Sequence, residues 1–528
     1  MGTKKFSVKY CVLLPLVLLI TIFLLAVPTS FFGIEGLTVL QQRTIALFVF
    51  AALMWIFEII PSWTTSVLII VLALLMLSNK GLGFLMVDAS GEKLEGIMNY
   101  TKIMSAFADP VVMLFLGGFA LAIMAQKYGL DVTLARMLLK PFGTNPKMVL
   151  LGFLTVIAVF SMFMSNTATA AMMLAFLAPV LATFPEGDKG KIALALSIPV
   201  SANIGGIGTT IGTPPNGTAV SNLETYFGTS ISFGEWAIHM VPFVIIMILF
   251  AWVGLQFMFP FSTKKLEVNI PANDKPTTWR TYLVWATFAI TILLWATESL
   301  TGISSNIVAL IPLAVFVCTG TFDKEDIKQI DWSVLWLVAG GFALGTDLQG
   351  TGLAIVLISA IPFGSMNIII VFLVAGLVCY FLSNFISNSA TAALLIPILI
   401  VVATAMEDPS ASSNASFHSI GGTQAMIIFV ATCASIAMLL PISTPPNAIA
   451  SATGMVKTAD MAKVGIIIGT VGFVLGFFWL TKIFPFEIPA AAQTAVDMAG
   501  QASQGAAEAI QAVSDTVSAA ADSVKAAI

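Results

Sequence analysis

Apolar runs of 17 residues or more recur along most of this 528-residue chain, and no other feature restricts its fold so tightly. Each run is long enough to cross the ~30 Å hydrocarbon core of a bilayer. Within lipid every backbone N–H and C=O must be satisfied, and runs this long and uniform suit helices and not barrel strands. The chain therefore reads as an all-α integral membrane protein. Charged residues make up only 9% of it, against about 25% in soluble proteins, and they fall between the apolar runs. No basic tract points to nucleic acid. Cys11, Cys318, Cys379 and Cys433 lie inside apolar runs without metal-ligand spacing, so they read as small packing residues. Two histidines, His239 and His418, are too few for a metal centre or a long proton relay. No phosphate-binding loop suggests an ATP-driven pump.

Lysine and arginine set the topology, because cytoplasmic loops collect them. The N-terminus carries Lys4, Lys5 and Lys9 and is placed inside, with a first helix that is retained and not cleaved. Eleven spans follow, near 10–30, 43–60, 62–79, 110–126, 192–220, 237–260, 281–300, 303–320, 332–348, 425–452 and 464–484. Basic clusters flank both ends of 148–184, so this run reads as a re-entrant hairpin entered from the cytoplasm. The run 368–402 is flanked by stretches without Lys or Arg and reads as a hairpin entered from outside. With this arrangement 17 of the 23 basic residues are cytoplasmic, the asymmetry that a correct topology requires. The C-terminus falls outside the cell, and the short loops suit a bacterial inner (plasma) membrane.

The two halves also repeat one another. Trp55 and Glu58 echo Trp295 and Glu298, and Gly117–Leu121 matches Gly340–Leu344. Ser165-Asn166-Thr167-Ala168-Thr169 matches Ser387-Asn388-Ser389-Ala390-Thr391, and Thr213-Pro214-Pro215-Asn216 matches Thr444-Pro445-Pro446-Asn447. The order is the same in both halves. With one hairpin inside and one outside, the repeats are inverted across the membrane, as in many secondary transporters. The organisation is an N-terminal region 1–40, repeat 1 at 41–261, a cytoplasmic linker 262–280, repeat 2 at 281–485 and an Ala-rich tail 486–528.

Polar residues at membrane depth must line a cavity or be satisfied by protein. The SNTAT and SNSAT motifs lie mid-hairpin, where a turn frees carbonyls and helix ends. Hydroxyls and carbonyls are hard donors suited to Na⁺, and helix N-termini favour anions. Tandem prolines cannot continue a helical ladder. Asn216 and Asn447 are placed to satisfy the groups so freed, and Gly205, Gly206, Gly208 and Gly212 to admit close approach of backbone to a ligand. Glu58 and Glu298 sit near span ends and read as helix-orienting residues. No Lys, Arg or His accompanies the motifs. A buried dianion needs positive charge, so co-bound cations would have to supply it, which favours symport over exchange. No His, Asp or Glu stands beside the motif hydroxyls to make a nucleophile, so the chain does not read as an enzyme, and no charged ring suggests a channel.

At these motifs the sequence resembles the divalent anion:sodium symporter family, over about residues 40–485. The resemblance implies a homodimer with a scaffold domain and an elevator-like transport domain. It implies C4-dicarboxylate substrates such as succinate, malate and fumarate, with citrate or sulfate in some branches. It further implies one co-transported sodium at Ser161, Ser165, Asn166 and the Gly212 carbonyl. A second would lie at Ser383, the Ile386 carbonyl, Asn388 and the Ser443 carbonyl. Asn166, Thr167, Thr213, Asn388, Ser389 and Thr444 would hold the substrate carboxylates. Ser389 replaces the usual Thr of the motif but keeps the hydroxyl. The tail 486–528 lies outside the resemblance and reads as loose or partly helical.

Overall fold

The computed structural model describes residues 9–88, 90–185, 187–228, 231–266, 275–360, 366–407 and 413–486. All named elements among them are helical. The first half opens with α1 (Leu14–Ala26), α2 (Val39–Phe57), α3 (Ser62–Leu77) and a short α4 (Tyr100–Met104). It continues with α5 (Pro110–Lys127), α6 (Leu130–Leu139), α7 (Pro146–Ser161) and α8 (Asn166–Ala182). A break at 207–213 separates α9 (Gly190–Gly206) from α10 (Pro214–Phe227), and α11 (Phe233–Met258) ends the half. The second half runs through α12 (Trp279–Ala296), short α13 (Glu298–Thr301), α14 (Ser305–Cys318), short α15 (Lys324–Ile327), α16 (Trp332–Gly350) and α17 (Leu353–Ala360). Then come α18 (Ile368–Ser383), α19 (Asn388–Glu407), short α20 (Asn414–His418), α21 (Gly422–Ser435), α22 (Pro445–Ala452) and α23 (Thr458–Phe478).

Local chemistry repeats at the same offsets as the motifs. Asn145 caps α7 through the N–H of Lys147 (3.0 Å), and Asn367 caps α18 through the N–H of Ile369 (3.1 Å). Ser165 caps α8 and Ser387 caps α19, each accepting from a backbone N–H three residues on at 3.2 Å. The indole of Trp55 donates to the Ser62 carbonyl (3.1 Å), as that of Trp295 does to Ser305 (3.0 Å). A side-chain cap satisfies one of the four orphan N–H groups of a helix start and is worth about 1 kcal/mol.

The halves are interleaved. A Cβ on Gly117 of α5 would stand 1.9 Å from the Ala309 carbonyl of α14, and one on Gly340 of α16 would stand 2.3 Å from Ser66 Cβ of α3. Each matched glycine thus lets a helix of one repeat pack backbone to backbone on the other repeat, the device that substitutes for the hydrophobic effect between helices in lipid. The same contact is pinned at its end by Lys127, whose ammonium lies 2.6 Å from buried Asp326 and 3.0 Å from Asp323.

Several expectations are modified. Residues 127–147, expected as a cytoplasmic loop, contain α6, whose Leu130, Ala135 and Leu139 are buried while Arg136 and Lys140 are exposed. The expected loop 349–367 contains α17. Against eleven expected spans, six helices among the described residues reach crossing length alone, including α19, and seven apolar helices among them have 10–17 residues. At 1.5 Å per residue a 16-residue helix covers only about 24 Å, so breaks and short helices hide spans from a length count. Residues 267–274 of the linker and 487–528 of the tail lie outside the described residues. Burial pushes the Asp188 carboxyl up, but bonds from the Thr263 hydroxyl and the N–H groups of Gly190, Ser262 and Thr263 outweigh it and hold the group below the ordinary carboxylate range. This residue fastens the exit of the first hairpin to the start of the linker.

Candidate functional site

Both hairpin breaks and both helix breaks open onto one cavity of about 300 Å³. Asn166, Thr167, Thr213, Asn388, Ser389 and Thr444 all line it. Ser165, Gly212 and Ser443 line it too, while Ser161, Ser383 and Ile386 lie behind its wall and are buried. The volume lies at the lower end of small-ligand pockets, about 300–1,000 Å³.

Prolines explain how the chain stops at this depth. Pro214-Pro215 and Pro445-Pro446 occupy the first turn of α10 and α22, where a missing N–H costs nothing. The carbonyls of the preceding break need donors, and two asparagines supply them. Asn216 Nδ2 donates to the carbonyls of Gly206 (3.0 Å), Ile207 (3.3 Å) and Thr209 (2.7 Å). Asn447 Nδ2 donates to those of Met438 and Leu440, both at 2.9 Å. Ile207 and Thr209 correspond to Met438 and Leu440 in the repeat, so one amide solves the same backbone problem twice.

On the first-repeat side, oxygens crowd around the Asn166 side chain. Its outer amide atom lies 2.6 Å from Ser161 Oγ, 3.1 Å from the Gly212 carbonyl and 3.2 Å from the Ala202 carbonyl. Turned one way, the amide satisfies all three neighbours through its N–H groups. Turned the other way, its oxygen accepts from the Ser161 hydroxyl at 2.6 Å and faces the Gly212 and Ala202 carbonyls, a cluster of oxygens that a cation could share. Glycines permit the crowding. A Cβ on Gly212 would stand 2.4 Å from the Gly206 carbonyl and 2.9 Å from that of Ser161, and one on Gly206 would stand 2.7 Å from the Asn166 amide. At Gly212 the close approach is of backbone to backbone, and at Gly206 it is of backbone to the Asn166 side chain.

On the second-repeat side, the Ser383 hydroxyl and Asn388 Oδ1 are buried without a hydrogen-bond partner. An unpaired buried acceptor costs about 1–3 kcal/mol, so these atoms have unused capacity to bind. Ser443 Oγ donates to the Asn384 carbonyl at 2.9 Å, which ties the helix break to the hairpin tip. The Ile386 side chain packs into the α2–α3 core, fixing the backbone between Ser383 and Asn388.

The electrostatics of the cavity come from backbone. The N-termini of α8, α10, α19 and α22 all begin at lining residues, and each contributes roughly half a positive charge. Among the described residues, no Lys, Arg or His lines the cavity. Its one lining carboxylate, Asp331, is exposed and caps α16 by accepting from the Val334 N–H at 3.3 Å.

Two functional residues were not singled out from sequence. Asn203, fully buried in α9, places Nδ2 3.2 Å from Thr444 Oγ1 and 3.4 Å from Asn447 Oδ1, so it joins one repeat's broken helix to the other's. Asn384 Oδ1 accepts from the Leu439 N–H at 2.9 Å while its Nδ2 donates to Tyr380 O at 2.7 Å. Their repeat counterparts are Ala434 and Met162, so symmetry could not reveal them.

Comparison with known proteins places this arrangement. The CitMHS family profile, described as citrate transporter, matches residues 52–417. An uncharacterized transporter of Haemophilus influenzae is 31% identical, covering 83% of this chain and 91% of that protein. The sodium-dependent dicarboxylate transporter SdcS of Staphylococcus saprophyticus is 28% identical, covering 82% and 84%. Among solved structures, the Alcanivorax borkumensis YdaH transporter, described as having an unusual topology, aligns with a TM-score of 0.52 at 13% identity, over 81% of this chain and 99% of that one. This last likeness speaks to fold alone.

Proposed function

The chain belongs to the citrate transporter (CitMHS) family, of divalent anion:sodium symporter type, and from that premise we propose that it imports C4-dicarboxylates together with sodium. It is a multi-pass membrane transporter and not an enzyme. The observation that carries the finer reading is the single cavity on which four helix N-termini converge without any lining cation. Helix dipoles alone neutralise part of a dianion's charge in a low dielectric. Sodium at the two oxygen clusters supplies the rest, which couples the cation to the substrate by electrostatics.

In this reading Ser161, Ser165, Asn166 and Gly212 hold the first sodium, and Ser383, Ile386, Asn388 and Ser443 the second. Asn166, Thr167, Thr213, Asn388, Ser389 and Thr444 hold the carboxylates. The crowding around Asn166 and the partnerless oxygens of Ser383 and Asn388 support these roles. The sodium-dependent dicarboxylate relative supports the choice of ions. Succinate, malate and fumarate are the expected substrates, and the family match favours citrate as the second reading. The repeats at 41–261 and 281–485 form an inverted pair, with hairpins entering from opposite sides and moving as an elevator against a scaffold. Two chains form a homodimer in a bacterial inner membrane, with the N-terminus inside and the C-terminus outside.

The test is uptake of radiolabelled succinate into proteoliposomes, with an inward sodium gradient or with potassium in its place. Uptake that needs sodium is expected. Uptake that instead needs internal dicarboxylate would make the protein an exchanger and overturn the charge argument. Failure with succinate but sodium-driven citrate or sulfate uptake would keep the coupling and change the substrate.

A further inference from the structure

A second and larger cavity, about 770 Å³, opens between α5, α6, α7 and α12. Its walls are apolar, with Leu134, Phe160, Phe163, Met164, Phe288 and Ile292 among them, and Asp131 is the one charged lining residue among the described residues. The mouth lies along α12, where Ala289 and Leu293 line the groove and are exposed, and where neighbouring Tyr282 and Ile290 are also exposed. An exposed apolar face on a helix of crossing length faces lipid tails. Water gains nothing in an apolar groove, and an unfilled one forfeits the dispersion contacts of its walls. Tails adjacent to the mouth therefore fill it by packing, the force that operates between apolar surfaces within a bilayer.

One end of the groove carries a cation: Lys275 faces Asp131 there and also reaches the Gln126 carbonyl. The inner wall is the back of the first hairpin tip. Phe163 and Met164 lie in the turn between Ser161 and Ser165, and the Phe163 ring meets that of Phe288 edge-on at 6.2 Å.

We propose that this groove is a lipid site: it takes one acyl chain of a phospholipid, headgroup toward Lys275, and the chain backs the hairpin tip that carries the first oxygen cluster. The lipid is then part of the wall behind Phe163 and Met164, and not a passing neighbour.

The full chain is reconstituted with a phosphatidylglycerol bearing a diazirine in one tail, irradiated and mapped by peptide mass spectrometry. Label is expected on the groove residues of α12 and on the Phe163–Met164 segment. Ala289→Trp plugs the mouth and abolishes that label, whereas Ile290→Trp, on the outward face, leaves it. If Ala289→Trp loses its monodisperse gel-filtration peak, Ile292→Trp makes the same test from inside the groove. Label confined to the outward face of α12, or unchanged in the plugged variant, overturns the proposal. So does disulfide formation between two chains through Ala289→Cys, which would make the groove a contact between copies.

Discussion

Adding a single methyl group at Gly212 tests whether the first oxygen cluster depends on backbone proximity. The Cβ of Gly212→Ala would stand 2.4 Å from the Gly206 carbonyl, 2.9 Å from Gly206 Cα and 2.9 Å from the Ser161 carbonyl. All three are backbone atoms, so no side chain can swing away. Relief to 3.0 Å moves the two strands of the break apart by about 0.6 Å. Overpacking of this kind costs about 1–3 kcal/mol. The cost falls on the conformation in which the oxygens converge, so the half-saturating sodium concentration for succinate uptake rises about 5- to 150-fold, at 1.4 kcal/mol per decade. Gly118→Ala is the matched control, since its Cβ meets only Ile211 Cδ1 at an ordinary 3.6 Å. That variant keeps its sodium curve within about twofold. The assay is the initial rate of uptake against external sodium, on variants with equal gel-filtration profiles. An unchanged curve for Gly212→Ala would refute the claim that tight backbone approach builds the cation site.

Asn447→Ala leaves the Met438 and Leu440 carbonyls without their donor, and Asn216→Ala does the same to three carbonyls in the first repeat. At about 1–3 kcal/mol per unsatisfied buried group, both lower the thermal midpoint in detergent, and Asn447→Asp, which keeps the shape but replaces donors by acceptors, lowers it at least as far. Lys127→Met removes the partner of buried Asp326 and destabilises the α5–α14 contact. Adding Asp326→Asn restores most of the loss in a melting series, because it removes the stranded charge. Asp188 has a folded pKa below its unfolded value, so its stabilisation is present above about pH 3.9 and is lost as pH falls through the lower folded value. Melts of the parent and of Asp188→Asn therefore converge as pH is lowered from 6 toward 3, and a constant gap would contradict the assignment.

Much of the central site was legible because the membrane forbids polar residues without cause. Ser165-Asn166 and Ser387-Asn388 inside long apolar runs, and two Pro-Pro-Asn breaks at matching places, pointed to one cavity without any distances. The repeat made each motif a check on the other. The same symmetry concealed Asn203 and Asn384, which hold the site together where the halves differ. Helix α6 was hidden for another reason: Lys127, Arg136, Lys140 and Lys147 marked the stretch as cytoplasmic, and the spacing of Leu130, Leu134 and Leu138 beneath them was too short to outweigh that charge. The glycines of the first break signalled close approach, and at Gly205 and Gly212 the atoms approached include the chain's own backbone.

The cavity has two nearly matching walls, one from each repeat, and this bears on the shape of what it carries. A ligand with two like ends presents the same group to both walls, so succinate and fumarate can be held in either of two head-to-tail poses of almost equal energy. The difference between Thr167 and Ser389 is one methyl group, and the link from Asn203 to Thr444 exists on one side only. A dianion with unlike ends such as malate has its two head-to-tail poses told apart where the walls differ, at these atoms and at lining residues of one side such as Trp63 and Asp331. Ser389→Thr and Asn203→Ala should therefore change the ratio of malate to succinate affinity more than any change that treats both walls alike.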